Sequence, residues 1–177
     1  MSFFDRLLGK RPDPTQGWGS FQSPAPSFDL TEMSFGSLKF GDEISTAAFL
    51  GRPTKVQWSN TDYFALLYAI GGFQIDFEHG KFTYLAFLIG PDESIPSKTE
   101  ITYIEPRLRK NGTDCGRLTG NSSVEELKKL FGPPTNTDED EVEIVLNFLR
   151  DGFTLEFEFN SKRRLKRWNI FPTVANS

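Results

Sequence analysis

Gly71-Gly72-Phe73-Gln74-Ile75-Asp76-Phe77 carries a complete structural instruction, and Asp151-Gly152-Phe153-Thr154-Leu155-Glu156-Phe157 carries it again. In each, a dipeptide suited to positive φ precedes strict alternation of apolar and polar residues. The dipeptide predicts a two-residue hairpin turn. The alternation predicts a half-buried strand, with Phe73, Ile75 and Phe77, or Phe153, Leu155 and Phe157, on the dry face.

Working outward, the same order of features flanks both stretches. An apolar segment precedes each turn, residues 63–70 in the first case and 141–149 in the second. Upstream lie a Gly-X-Pro step (Gly51-Arg52-Pro53, Gly132-Pro133-Pro134) and a short helical segment, Ile44–Leu50 or Val124–Phe131. Phe35-Gly36-Ser37-Leu38 and Cys115-Gly116-Arg117-Leu118 come before those. Self-similarity at fixed spacing predicts one supersecondary unit used twice. The expected fold class is therefore α+β, two tandem repeats of a helix followed by an antiparallel β-meander, sharing one sheet. The expected organisation is a short helix and proline-rich arm (1–34), unit one (35–90), a connector with one strand at 100–105 (91–114), unit two (115–171) and a tail (172–177).

Local chemistry refines this. Ser123 or Ser122 caps the second helix, with Glu125 and Glu126 early and Lys128 and Lys129 late, as the helix dipole favours. Before the last strand, a four-residue loop at 161–164 faces Phe157 with Trp168 and Glu158 with Arg167. A two-residue loop would set Lys166 against Phe157 on the dry side, so the longer loop is predicted.

The helix-plus-meander pattern with Gly-X-Pro ending the helix resembles the β-lactamase inhibitory protein and the small outer-membrane assembly lipoproteins, over about residues 35–90 and 115–171. That resemblance implies two tandem units with a sheet face available for a protein partner.

Bulk properties bound the function. Eighteen phenylalanines among 177 residues point to a sheet-rich interior. A formal net charge of −4 argues against a general nucleic-acid binder. One cysteine, Cys115, forbids an intramolecular disulfide and is expected to be a small core hydrophobe, by its match to Phe35. No apolar run approaches the roughly 18 residues that span a bilayer, and residues 1–8 lack the features of a secretory signal, so the expected location is cytoplasmic. Phe3, Phe4, Leu7 and Leu8 share one side of a short N-terminal helix that is expected to dock on the body, with a partner, a membrane surface or disorder as the alternatives.

No catalytic constellation stands out. The single histidine, His79, ends an alternating strand and is expected to sit partly buried beside a turn. Asp138-Glu139-Asp140-Glu141 lacks the spacing of a calcium loop, and one Cys with one His makes no zinc site. No cofactor or metal is expected. Lys162, Arg163 and Arg164, with Lys166, Arg167 and Trp168, could grip a phosphate or stack a base, but pairing across the strands with the neighbouring Glu156 and Glu158 is the expectation. The apolar strands of unit one instead suggest an aromatic binding surface at Trp58, Tyr68 and Tyr84. The leading expectation is a non-enzymatic, inhibitor- or immunity-like protein-binding module. The alternative is a scaffold on a membrane surface, held by Phe3, Phe4, Leu7 and Leu8.

Overall fold

The computed structural model describes residues 11–91 and 100–173. The second hairpin has the expected two-residue turn, Asp151-Gly152, with Arg150 opposite Phe153; the first instead pairs Tyr68 with Phe73, so its loop has four residues, 69–72, and only Gly72 of the expected dipeptide is left-handed. Gly72 has a φ of 64°, while Asp151 and Gly152 have φ values of 50° and 82°. These left-handed values let a tight turn follow the right-handed twist of its strands.

The chain forms β1 (Phe28–Asp29), β2 (Ser34–Phe35) and β3 (Leu38–Lys39), then a 3-10 helix (Ile44–Leu50). There follow β4 (Lys55–Trp58), β5 (Tyr63–Tyr68), β6 (Phe73–Glu78) and β7 (Lys81–Leu88). After β8 (Arg107–Lys110) and β9 (Thr113–Arg117) comes α1 (Val124–Phe131). The last four strands are β10 (Asn136–Glu139), β11 (Glu143–Arg150), β12 (Phe153–Asn160) and β13 (Leu165–Pro172).

Two sheets result. The larger has eight strands in the order β10-β11-β12-β13-β7-β6-β5-β4, so two antiparallel meanders meet at β13 and β7. The smaller has five strands in the order β3-β2-β1-β8-β9, with β1 and β8 parallel. The core lies between them. Phe35 of the small sheet meets Phe73 and Phe87 of the large one at ring-centroid distances of 4.9 and 5.5 Å. Phe28 meets Trp168 edge-on at 5.2 Å. Trp168 also stacks on Phe157, 5.5 Å away with planes 6° apart, and its fully buried Nε1 has no hydrogen-bond partner among the described residues. The loop at 161–164 has the predicted length, with Phe157 opposite Trp168 and Glu158 opposite Arg167.

α1 closes one end of this core. Ser123 Oγ accepts from the Glu126 N–H at 3.2 Å, and Glu126 Oε2 accepts from the Ser123 N–H at 2.8 Å. Two otherwise unpaired donors are thereby satisfied. Leu127 is buried, and Phe131 lies 5.2 Å from Phe157.

The expected α+β class is corrected by these elements. The molecule is mainly β: its described residues form sheets of five and eight strands, with one 3-10 helix of seven residues and one α-helix of eight. The layer that covers the large sheet is a second sheet, built from stretches whose strands are only two to five residues long. Strands so short carry no readable alternation, and they fall in the segments expected to be arm, repeat start and connector. The resemblance to the β-lactamase inhibitory protein and the assembly lipoproteins fails on the same ground. Residues 101–105 form no strand; β8 begins after them at Arg107. Cys115 is exposed on β9 rather than buried. His79 sits in the β6–β7 turn with a φ of 49° and an exposed ring, where only its backbone conformation is demanded.

Candidate functional site

Alternation that buries Phe73, Ile75 and Phe77 sends Gln74 and Asp76 to the outer face of the large sheet, away from the small one. A bulge decides what joins them. Phe77 lies opposite Phe82, yet Asp76 lies opposite Tyr84, so β7 carries one extra residue between the two pairs. Phe82, Leu85 and Phe87 are fully buried as a result, and Tyr84 turns to the outer face.

On that face the polar groups form a bonded layer. Tyr63 Oη donates to Asp76 Oδ2, and Gln74 Nε2 donates to Asp76 Oδ1 at 2.8 Å. Tyr84 Oη donates to Asn169 Oδ1 at 2.8 Å. Asn169 Nδ2 in turn donates to Glu156 Oε1 at 2.9 Å and Glu158 Oε1 at 2.6 Å. Lys166 Nζ lies 2.8 Å from Glu143 and 3.4 Å from Glu158, and Arg167 Nη1 lies 3.6 Å from Glu158.

Burial sets the electrostatics. Asp76 is only 3 % exposed; that burial holds its carboxyl above the ordinary aspartate value, against the bonds from Tyr63 and Gln74, which act in the opposite sense. Burial also pushes the Tyr63 and Tyr84 hydroxyls well up; the Asp76 bond adds to this at Tyr63, while Arg167 opposes it at Tyr84. Both phenols are therefore neutral donors at neutral pH.

Beside this layer opens a cleft of about 270 Å³. Leu67, Ala86, Leu88 and Ile101 make it apolar, Gln57, Gln74 and Tyr84 give it polar points, and Lys55 and Arg167 give it positive charge. Such a surface can hold an apolar group and an anionic one together. Beside it, the Tyr63 hydroxyl is already bonded to the Asp76 carboxylate and the Tyr84 hydroxyl to Asn169.

The expected binding residues do not gather here. Tyr84 lines the cleft. Tyr68 is buried, stacks on Phe73 at 4.5 Å and donates its hydroxyl to the Gly51 carbonyl at 2.9 Å, so it is a core residue. Trp58 is half-buried against Phe64 at 4.6 Å, with the Arg11 guanidinium 5.1 Å over its ring. Phe3, Phe4, Leu7 and Leu8 lie outside the described residues. Sequence reasoning missed Asp76 and Asn169 as the buried centre of the outer face, although the wet-face phase of Asp76 was readable from Phe73 onward.

Among the described residues no cluster of three or more His, Cys, Asp or Glu side chains is placed to hold a metal ion. None of their helices is long and apolar enough to cross a membrane. Comparison with protein-family models finds no match, and comparison with curated proteins finds none. Among solved structures, the chain is similar to a DUF4309 family protein, YjgB, from Bacillus subtilis subsp. subtilis str. 168, with a TM-score of 0.49 and 14% identity. The match covers 80% of this chain and 88% of that one.

Proposed function

We propose that this chain is a non-enzymatic binding module that holds a protein partner against the outer face of its eight-stranded sheet. The cleft at Tyr84 is the observation that carries this. It joins an apolar floor, Leu67, Ala86 and Leu88, to two cations, Lys55 and Arg167. That combination suits a partner segment in which an apolar side chain adjoins an acidic one. The hydrogen-bonded layer under Tyr84 supports a holding role, since it fixes the floor before anything binds and so lowers the ordering cost of association.

Affinity capture from a lysate of the source organism, read by mass spectrometry, tests the proposal. Lys55→Glu reverses one charge at an exposed position on β4. It should abolish the proteins retained by the unmodified chain while leaving the melting temperature within about 1 °C, as surface substitutions usually do. Tyr84→Ala should weaken capture roughly tenfold or more, as for an anchoring tyrosine. An unchanged set of captured proteins with both variants would remove the sheet face from consideration.

A further inference from the structure

A second cleft, of about 320 Å³, lies between the proline segment 23–26, the β5–β6 turn and the β8–β9 hairpin, and it shares no lining residue with the first. Like the first, it carries net positive charge. The ionisable groups on its wall are Glu105, Arg107 and Arg117, two cations against one anion, in a chain whose net charge is −4.

The two arginines are directly opposite one another across β8 and β9. Like charges in that register repel and weaken a hairpin. Glu105 relieves this only in part, 3.9 Å from Arg117. Among the described residues Arg107 has no carboxylate within ion-pair distance. The rest of the cleft is apolar where it matters: Pro24 and Ile104 line it, and Ile70 projects from the turn with 70 % of its surface exposed. A branched aliphatic side chain left so open beside two guanidinium groups is half of a recognition surface.

We propose that this cleft binds a carboxylate carried on an aliphatic body, a free medium-chain carboxylic acid. The planar guanidinium forks of Arg107 and Arg117 take the two carboxylate oxygens, a geometry for which arginine is better suited than lysine. The chain lies along Pro24, Ile70 and Ile104, removing Ile70 from water. Bound anion also screens the Arg107–Arg117 repulsion, so binding and hairpin stability are linked.

Titration of the full chain with sodium octanoate, followed by calorimetry and by amide chemical shifts, tests this. Octanoate should bind saturably, with shifts confined to residues 23–26, 70–71, 104–107 and 117. Octanol, which lacks the charge, and acetate, which lacks the body, should each bind at least tenfold more weakly. Arg107→Gln and Arg117→Gln should each weaken octanoate roughly tenfold, the scale of a lost charged hydrogen bond. Ile70→Ser should weaken it several-fold with the melting temperature unchanged. Absence of saturable octanoate binding, equal affinity in the arginine variants, or shifts centred on Tyr84 would overturn the proposal. A peptide ending in a leucine carboxylate that binds tenfold tighter than octanoate would overturn the free acid as the ligand. Because Lys55 and Tyr84 lie outside this cleft, Lys55→Glu and Tyr84→Ala leave octanoate binding intact, and the two sites succeed or fail separately.

Discussion

Asp76 is a carboxylate held out of water with only neutral partners, Tyr63 and Gln74, bonded to it. Its folded-state pKa is raised, first by burial, so between the ordinary value and the raised one the folded chain binds more protons than the unfolded chain. Stability attributable to this residue therefore falls as pH rises through that window and levels off above it. Asn at 76 keeps an acceptor for Tyr63 and cannot ionise. Urea denaturation at pH 4 and pH 7 should show Asp76→Asn gaining on the unmodified chain as pH rises. Parallel curves would mean that water reaches the carboxylate. Trp168 poses the complementary case, a donor with no partner inside an aromatic stack. Trp168→Phe removes the unpaired N–H and some ring volume together, opposing effects that should leave stability within about 2 kcal/mol of the parent.

At the scale of elements, β12 shows how far patterning reaches. Phe157 is fully buried between Trp168, Phe131 and Phe148, and Phe157→Ala should cost about 3–5 kcal/mol in chemical denaturation. Ser123→Ala removes one half of the α1 capping box and should cost about 1 kcal/mol. Both positions were legible from sequence, because alternation fixes a strand's faces and a serine three residues before a glutamate marks a helix start. The two-residue turn at Asp151 and Gly152 was legible for the same local reason, and of the first turn only its place was. Three features were not. The β7 bulge moves Tyr84 to the outer face by adding one residue, and nothing in Phe82-Thr83-Tyr84-Leu85 announces it. Tyr68 was read as surface because an all-apolar strand does not say which side is covered. The small sheet escaped notice because two-residue strands are specified by what they pack on, as Phe28 is by Trp168 and Phe35 by Phe73.

For the molecule as a whole, the pairing of β7 with β13 makes one sheet of two meanders distant in sequence, and Phe28, Phe35 and Leu108 bridge its middle from above. The two halves should unfold together. Variants that retain Trp58 alone or Trp168 alone, with the other tryptophans changed to Phe, should report the same guanidinium midpoint by fluorescence. Midpoints that differ after correction for each variant's own stability by circular dichroism would divide the chain at this seam. Among the described residues the same sheet ends in strands with one side unpaired, and β10, Asn136-Thr137-Asp138-Glu139, is exposed throughout. An unpaired edge is a template on which further chains can stack. A copy approaching through its own β10 brings a second Asp138-Glu139 pair against the first, a repulsion that Arg163, 2.6 Å from Glu139, offsets only in part, so charge opposes self-association by that route. Concentrated salt weakens that repulsion, and replacing Asp138 and Glu139 with Thr removes it, so a solution of that variant should scatter more light over time than the parent.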